Sequence, residues 1–162
     1  MSDILCIYYS RTGNTKKAME EIAAELGAEL AELRDGVDRS GWKGWIRCGL
    51  DAVRKNTRPV EPAATERPLG EYRLVILGTP VWAGRESAVM RSFLRDHGAE
   101  IKNAAYVITR SSGSRYREVY RQMDLNVPAG HRAAVSLRSG DVGWAFWLEE
   151  FLRQVRTVLE GQ

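Results

Sequence analysis

Apolar runs of strand length alternate with segments of helical periodicity along the chain. Residues 4–9 are almost entirely apolar, which is typical of a strand buried on both faces. Apolar residues then recur at steps of three and four until Gly27, and this spacing predicts an amphipathic helix that ends there. Further strands are predicted at 28–34, 72–78, 103–110 and 131–138, with helices at 88–97, 116–123 and after Asp141.

This alternation indicates an α/β protein whose parallel sheet is covered by helices on both faces. At 162 residues, the chain suits a single domain over 1–162 better than two small ones. Five predicted strands favour a doubly wound sheet with the strand order 2-1-3-4-5. The last helix carries an apolar stripe that we interpret as core, made of Trp144, Trp147, Leu148, Phe151, Leu152, Val155 and Leu159.

A helical insertion at about 35–68 interrupts the alternation between the second and third strands. Trp42 and Trp45 lie in this insertion, and they either pack on the sheet, cover a ligand or form a surface for a partner. The basic side chains of the insertion either form a solvated helix face or attract an anionic partner. They are Arg39, Lys43, Arg47, Arg54, Lys55 and Arg58.

The turn at residues 10–15, with the sequence SRTGNT, connects the first strand to the first helix. In a doubly wound sheet, ligands bind beyond the carboxyl ends of the strands where the strand order reverses, here between strands 1 and 3. The helix N-terminus offers N–H groups and a positive dipole end to an anion. The hydroxyls of this turn add donors, and Gly13 lets the backbone close around the anion. Because the turn is neither a Walker A motif nor GxGxxG, we expect it to hold a phosphate monoester rather than a pyrophosphate. The alternative is an ordinary helix cap, since Ser, Thr and Asn are preferred caps.

Two further loops should flank that turn, at residues 78–87 and 109–116. In the first of them, Trp82 stands next to the small pair Ala83 and Gly84. We interpret Trp82 as the cover of a planar ligand, and the alternative is packing into the core. The second loop is small and polar, which suits hydrogen bonds to the edge of a heterocycle but also describes an ordinary turn.

The sequences YYSRTGNT and GTPVWAG resemble the phosphate loop and the flavin loop of the flavodoxin family, and the order of elements matches over nearly the whole chain. The resemblance implies a flavodoxin-like fold that binds FMN. It implies that the phosphate is held by Ser10, Thr12, Asn14 and Thr15. It also implies that the flavin ring and its N5 are contacted by Trp82, Ala83 and Gly84. The pyrimidine edge is then met by Ser111, Ser112 and Gly113, and Tyr116 is a candidate for the other ring face. Arg11 either pairs with the phosphate or points to solvent. The predicted cofactor-binding set also includes Gly13, Thr79, Pro80 and Val81. No catalytic acid or base is predicted, because the flavin itself carries the redox reaction.

The net charge of +3 and the isoelectric point near 9.0 depart from flavodoxins, which are typically strongly acidic. Positive potential near N1 of a flavin favours the reduced anion and raises its midpoint potential. Two interpretations stay open: a flavodoxin that carries electrons to or from a redox partner protein, and an NAD(P)H-dependent quinone or flavin reductase. A third, from another class, is a non-enzymatic binding module that uses the basic insertion. Outside the insertion, no basic stripe interleaved with aromatic residues favours a nucleic-acid partner.

The remaining features indicate a cytoplasmic protein. Cys6 and Cys48 lack metal-ligand spacing, and His97 and His131 are isolated in the sequence, so we predict reduced thiols and no metal site. No segment reaches the roughly 18 apolar residues of a membrane span. The first residues also lack the basic start and cleavage site of a secretory signal.

Overall fold

The structure, a computed structural model, describes residues 2–34 and 65–162. Five parallel strands form its sheet in the order β2-β1-β3-β5-β6, and a two-residue strand, β4, pairs antiparallel with β3. The strands are β1 (Ile4–Tyr8), β2 (Glu29–Glu32), β3 (Leu74–Trp82), β4 (Arg85–Glu86), β5 (Ala104–Arg110) and β6 (His131–Arg138). The doubly wound parallel sheet is therefore confirmed. The predicted total of five strands is wrong, because the described part of the chain contains β4 as a sixth strand beside the five parallel ones.

Four α-helices cover the sheet within the described residues. They are α1 (Asn14–Leu26), α2 (Ala88–His97), α3 (Glu118–Asp124) and α4 (Trp144–Glu160). Single 3-10 turns occupy Leu69–Glu71 and Gly98–Glu100. Gly27 ends α1 in the left-handed region, at φ 62°, as its place after the apolar stripe predicts. Asp141 accepts a hydrogen bond from the Gly143 N–H at 3.0 Å, so it lies ahead of α4 instead of capping its first turn.

Two apolar clusters lie on opposite faces of the sheet because almost every side chain of the central strands is buried. The face covered by α2 and α3 includes Tyr106 and Ile108 of β5. The opposite face, covered by α1 and α4, includes Val107 of the same strand. On α4, the predicted stripe is buried at Leu148, Phe151, Leu152 and Val155, whereas Trp144, Trp147 and Leu159 are half-buried and pack against this cluster.

The strand β3 continues beyond the predicted end at Gly78 and reaches Trp82. Val81 pairs with Glu86 and Trp82 pairs with Arg85, so the predicted loop at 78–87 is largely a β-hairpin. Ala83 and Gly84 form its two-residue turn with φ values of 48° and 76°, the left-handed pair that a tight hairpin requires.

Most of the predicted insertion at about 35–68, including its tryptophans, its basic residues and Cys48, lies outside the described residues. Its end is described at 65–68, where the Glu66 N–H donates a hydrogen bond of 2.9 Å to Glu29 of β2. No helix in the described ranges is long and apolar enough to cross a membrane. Cys6 is fully buried in β1, and burial raises the pKa of its thiol to about 12.

Candidate functional site

A cavity of about 240 Å³ opens at the carboxyl ends of β1, β3 and β5, where the strand order reverses. This is the position that a doubly wound sheet reserves for ligands. The walls include nine of the sixteen residues predicted from the sequence: Ser10, Arg11, Thr12, Asn14, Thr15, Pro80, Val81, Trp82 and Ser111. Four unpredicted residues complete them, namely Thr109, Arg110, Arg138 and Ser139. The other predicted residues do not line the cavity: Gly13, Thr79, Ala83, Gly84, Ser112, Gly113 and Tyr116.

The first wall is the turn between β1 and α1. Gly13 sits at φ 102°, a conformation that side-chain-bearing residues rarely adopt, and its N–H donates to the Ser10 hydroxyl at 3.1 Å. The first backbone hydrogen bond of α1 runs from Lys17 N–H to the Gly13 carbonyl at 2.9 Å. The N–H groups of residues 14–16 therefore have no acceptor within the helix, which leaves the positive helix end open to an anion.

The second wall is the hairpin of β3 and β4, which carries Pro80, Val81 and Trp82 into the cavity. Thr79 lies at its base and is fully buried. The Thr79 hydroxyl donates to the Ser87 hydroxyl and accepts from the Ser87 N–H, each at 3.0 Å. Ser87 in turn caps α2 by accepting from the Met90 N–H at 3.1 Å. Thr79 thus anchors the hairpin to α2 from behind the wall.

Trp82 belongs both to the core and to the cavity. Its side chain is only 7% exposed and packs in the cluster under α2 and α3. Its ring lies nearly perpendicular to the ring of Tyr9, with a centroid distance of 5.5 Å and an interplanar angle of 89°. The two interpretations of Trp82 made from the sequence are therefore compatible, because one side of the ring packs while the residue also borders the cavity.

The third wall follows β5. Ser111 lines the cavity, whereas the Ser112 hydroxyl lies 2.9 Å from the Tyr116 hydroxyl and forms a hydrogen bond within the loop. Tyr116 has a φ of 52° and packs its ring beside the core cluster under α2 and α3. Gly113 is exposed at the loop surface. In this conformation, Tyr116 closes the loop instead of facing the ligand cavity.

Two arginines on the cavity wall were missed from the sequence. Arg110 ends β5, is 8% exposed, and donates from Nε to the Ser136 hydroxyl at 2.9 Å and from Nη1 to the Ser112 carbonyl at 2.5 Å. Arg138 ends β6 and donates from Nε to the Ser111 carbonyl at 3.2 Å. The available signal was their position, since both stand at the carboxyl ends of predicted strands.

A second cavity, of about 390 Å³, lies along the outer edge of β6 between α3 and α4. Arg115, Arg117 and Arg132 line it, and the Arg115 guanidinium lies 4.1 Å from the ring centroid of Trp147. His131 also lines it, and its Nδ1 lies 2.9 Å from an Asp124 carboxylate oxygen. This second cavity is therefore a positively charged groove with aromatic walls.

The described residues contain no group of three or more side chains suited to hold a metal ion. No protein-family model matches the chain. A flavoprotein in complex with FMN from Lactobacillus acidophilus superposes with a TM-score of 0.67 and 21% sequence identity, over 91% of this chain and 99% of that one. A WrbA-like flavodoxin from Agrobacterium tumefaciens superposes with a TM-score of 0.65 and 16% identity over 100% of both chains. The two-electron reduced flavodoxin of Megasphaera elsdenii superposes with a TM-score of 0.53 and 17% sequence identity, over 92% of this chain and 97% of that one.

These similarities confirm the flavodoxin-like fold that the sequence motifs imply.

Proposed function

We propose that this protein binds FMN and carries electrons through the bound flavin. The observation that carries the proposal is the convergence of an anion-binding turn, a tryptophan-bearing hairpin and a polar loop on one cavity at the strand-order reversal. The structural similarity to a flavoprotein in complex with FMN supports the same ligand. Bound FMN supplies the capacity to accept and donate electrons one or two at a time.

The phosphate of FMN would be held at the turn between β1 and α1. Ser10, Thr12 and Asn14 offer polar side chains to the cavity, and the N–H groups of residues 14–16 offer donors at the helix end. Gly13 supports this fit, because its φ of 102° brings the backbone around the anion and no heavy atom of another described residue lies within 4 Å of the place where a Cβ would stand. Arg11 lines the same end and adds a positive charge.

The flavin ring would lie against the hairpin, with Trp82 along one side and the backbone near Ala83 and Gly84 close to N5. Ser111 borders the opposite wall, and Ser112 and Gly113 follow it in the loop. The cavity of about 240 Å³ is smaller than the roughly 300–1,000 Å³ of sites that enclose a whole ligand. A bound ring would therefore keep part of its edge at the surface, where a redox partner can reach it.

Titration of the purified protein with FMN and with riboflavin tests the proposal. FMN fluorescence should be quenched on binding, and FMN at 100 times its Kd should stabilise the fold by about 2.7 kcal/mol in chemical denaturation. Riboflavin should bind more weakly, because it lacks the phosphate. Absence of FMN binding, or equal affinity for the two flavins, would contradict the proposal.

A second candidate function is an NAD(P)H-dependent quinone or flavin reductase. The observation that favours it is the second cavity, whose arginines and aromatic walls suit a nucleotide that carries phosphates and flat rings. The FMN-loaded protein would then oxidise NAD(P)H with a quinone and no other protein. An electron-transfer flavodoxin would need a separate reductase. Absorption spectra recorded during stepwise reduction separate the two, since a one-electron carrier accumulates the half-reduced flavin.

A further inference from the structure

Arg110 is a buried cation that forms no ion pair with the residues that the structure describes. The residue is 8% exposed, and its hydrogen-bond acceptors among the described residues, the Ser136 hydroxyl and the Ser112 carbonyl, are both uncharged. None of the salt bridges within residues 2–34 and 65–162 involves it. Removing a guanidinium from water without a counter-charge is unfavourable, so this arrangement leaves positive charge available to a ligand.

The charges around Arg110 sharpen this point. Burial, and then the positive charges of Arg115 and Arg138, lower the pKa of Arg110, and the carboxylate of Asp141 opposes them less strongly. Arg138 also lines the cavity. Two arginines therefore line the same cavity with one weaker anion nearby, which is the pattern of a site that receives a negative charge.

The position of Arg110 separates it from the phosphate turn. Successive side chains of a strand point to opposite faces. Thr109 is hydrogen-bonded to Thr15 of α1, whereas Arg110 is bonded to Ser136 on the face covered by α2 and α3. Arg110 therefore lies on the face of the sheet opposite the contact between Thr109 and α1.

Resting on the proposed function, we propose that Arg110, assisted by Arg138, binds the negative charge that reduction places on the flavin ring, so that the protein holds reduced FMN more tightly than oxidised FMN. Two electrons and one proton convert oxidised flavin into a reduced monoanion, and the added charge resides around N1 and O2 of the pyrimidine ring. A guanidinium donates to both atoms without giving up a proton, because its own pKa stays far above neutral.

The test measures the affinities of the protein for oxidised and dithionite-reduced flavin without oxygen. By linkage, the change in flavin potential on binding is proportional to the logarithm of the ratio of these affinities. Wild type should prefer reduced FMN, and Arg110→Met should lower the reduced-to-oxidised affinity ratio by about tenfold or more, the usual weight of a hydrogen bond to a charged group. Arg121→Met is the matched control, since Arg121 is exposed on α3 and lines neither cavity.

Riboflavin separates the ring from the phosphate. Arg110→Met should lower the ratio equally for riboflavin and FMN, and Arg110→Lys should restore part of it. Arg138→Met, at an exposed position, carries the same test if Arg110→Met does not fold, with a smaller expected loss. An unchanged ratio in both methionine variants, or a loss confined to FMN in both redox states, overturns the role of these arginines. Failure of wild type to bind FMN at all overturns the proposed function itself, which is a different result.

Discussion

The hydroxyls of Thr15 and Thr109 lie 2.7 Å apart, although 94 residues separate them in the sequence. Thr15 lies in the first turn of α1 beside the phosphate turn and Thr109 precedes the last residue of β5, and both are almost fully buried. Because β3 lies between β1 and β5, this hydrogen bond spans the carboxyl end of the central strand and holds two walls of the cavity at a fixed separation.

The paired substitution Thr12→Val and Thr15→Val should weaken FMN binding by tenfold or more, about the loss of one hydrogen bond to a charged group. It should leave riboflavin binding nearly unchanged, because riboflavin has no phosphate. Flavin fluorescence titrations measure both affinities. Thr109→Val is the control, since it also breaks the Thr15–Thr109 hydrogen bond but keeps the Thr15 hydroxyl. Equal losses for FMN and riboflavin in the paired variant would assign these threonines a merely structural role.

Trp82→Ala should weaken both flavins by roughly threefold to tenfold, the weight of an aromatic contact beyond simple burial. It should also lower the free energy of unfolding by about 3 kcal/mol or more, because the ring is part of the core. Trp82→Phe keeps a ring in place and should show smaller losses of both kinds. Titration and urea denaturation of the two variants give the numbers. A folded Trp82→Ala variant with wild-type flavin affinity would leave Trp82 as a core residue alone.

Gly98→Ala should lower the free energy of unfolding by about 3 kcal/mol. Gly98 follows α2, and an added Cβ would stand 1.9 Å from the backbone carbonyl oxygen of Asn126, a contact that only a backbone shift can relieve. Gly113→Ala is the matched control, because its Cβ position has no heavy atom within 4 Å in the described part of the chain. The free energy of unfolding should change by no more than about 0.5 kcal/mol in this variant. Urea denaturation measures the free energy of unfolding of both variants. Equal values would contradict the prediction, because they would mean that the backbone at Asn126 moves aside at little cost.

In alkaline solution, ionisation of the Tyr72 phenol should lower the free energy of unfolding. Burial, and then the hydrogen bond that its hydroxyl donates to Glu29, raise the pKa of Tyr72 from 10.0 to about 12. Because the folded value lies above the unfolded one, the neutral phenol stabilises the fold fully below pH 10 and loses this contribution as the pH rises to about 12. Across this window, the free energy of unfolding of Tyr72→Phe should therefore fall less steeply with pH than that of wild type. The two slopes should differ by up to about 1.4 kcal/mol per pH unit. Parallel slopes for the two proteins in denaturant titrations would contradict the shift.

The sequence predicted the parallel core of the fold well because its signals are local. The predicted strand at 131–138 has the observed bounds of β6, and the helix stop at Gly27 matches its left-handed φ. A buried parallel strand reads as an unbroken apolar run, and an amphipathic helix reads as a period of 3.6, so neither depends on distant contacts.

The hairpin was missed for a physical reason. Gly78 and Pro80 both argue against a continuing strand, because glycine weakens strands and proline lacks a donor. The structure accommodates Pro80 near the end of β3, and Ala83 adopts a φ of 48° that alanine seldom shows. The pairing of Trp82 with Arg85 supplies the geometry, and that pairing is not visible in the local pattern.

Arg110 and Arg138 were both left out of the predicted site for the same reason. Arg110 and Arg138 were assigned to strands, where a terminal arginine reads as an ordinary end residue. Their shared role emerges only when β5 and β6 lie side by side, with Arg110 paired opposite Arg138 in the sheet register. The phosphate turn, in contrast, is contiguous in sequence, which is why its residues could be named in advance.

The short hairpin that bears Trp82 is closed by two residue pairs between β3 and β4, and it is anchored by the Thr79–Ser87 hydrogen bonds at its foot and by the Trp82 side chain in the core. It extends beyond the five parallel strands, so the turn at its tip can be exchanged without changing the sequence of those strands. Exchanging Ala83 and Gly84 for another pair of residues that tolerates positive φ is therefore the simplest way to vary the rim of the pocket, and chains that share this scaffold can diversify there at little risk to their folding.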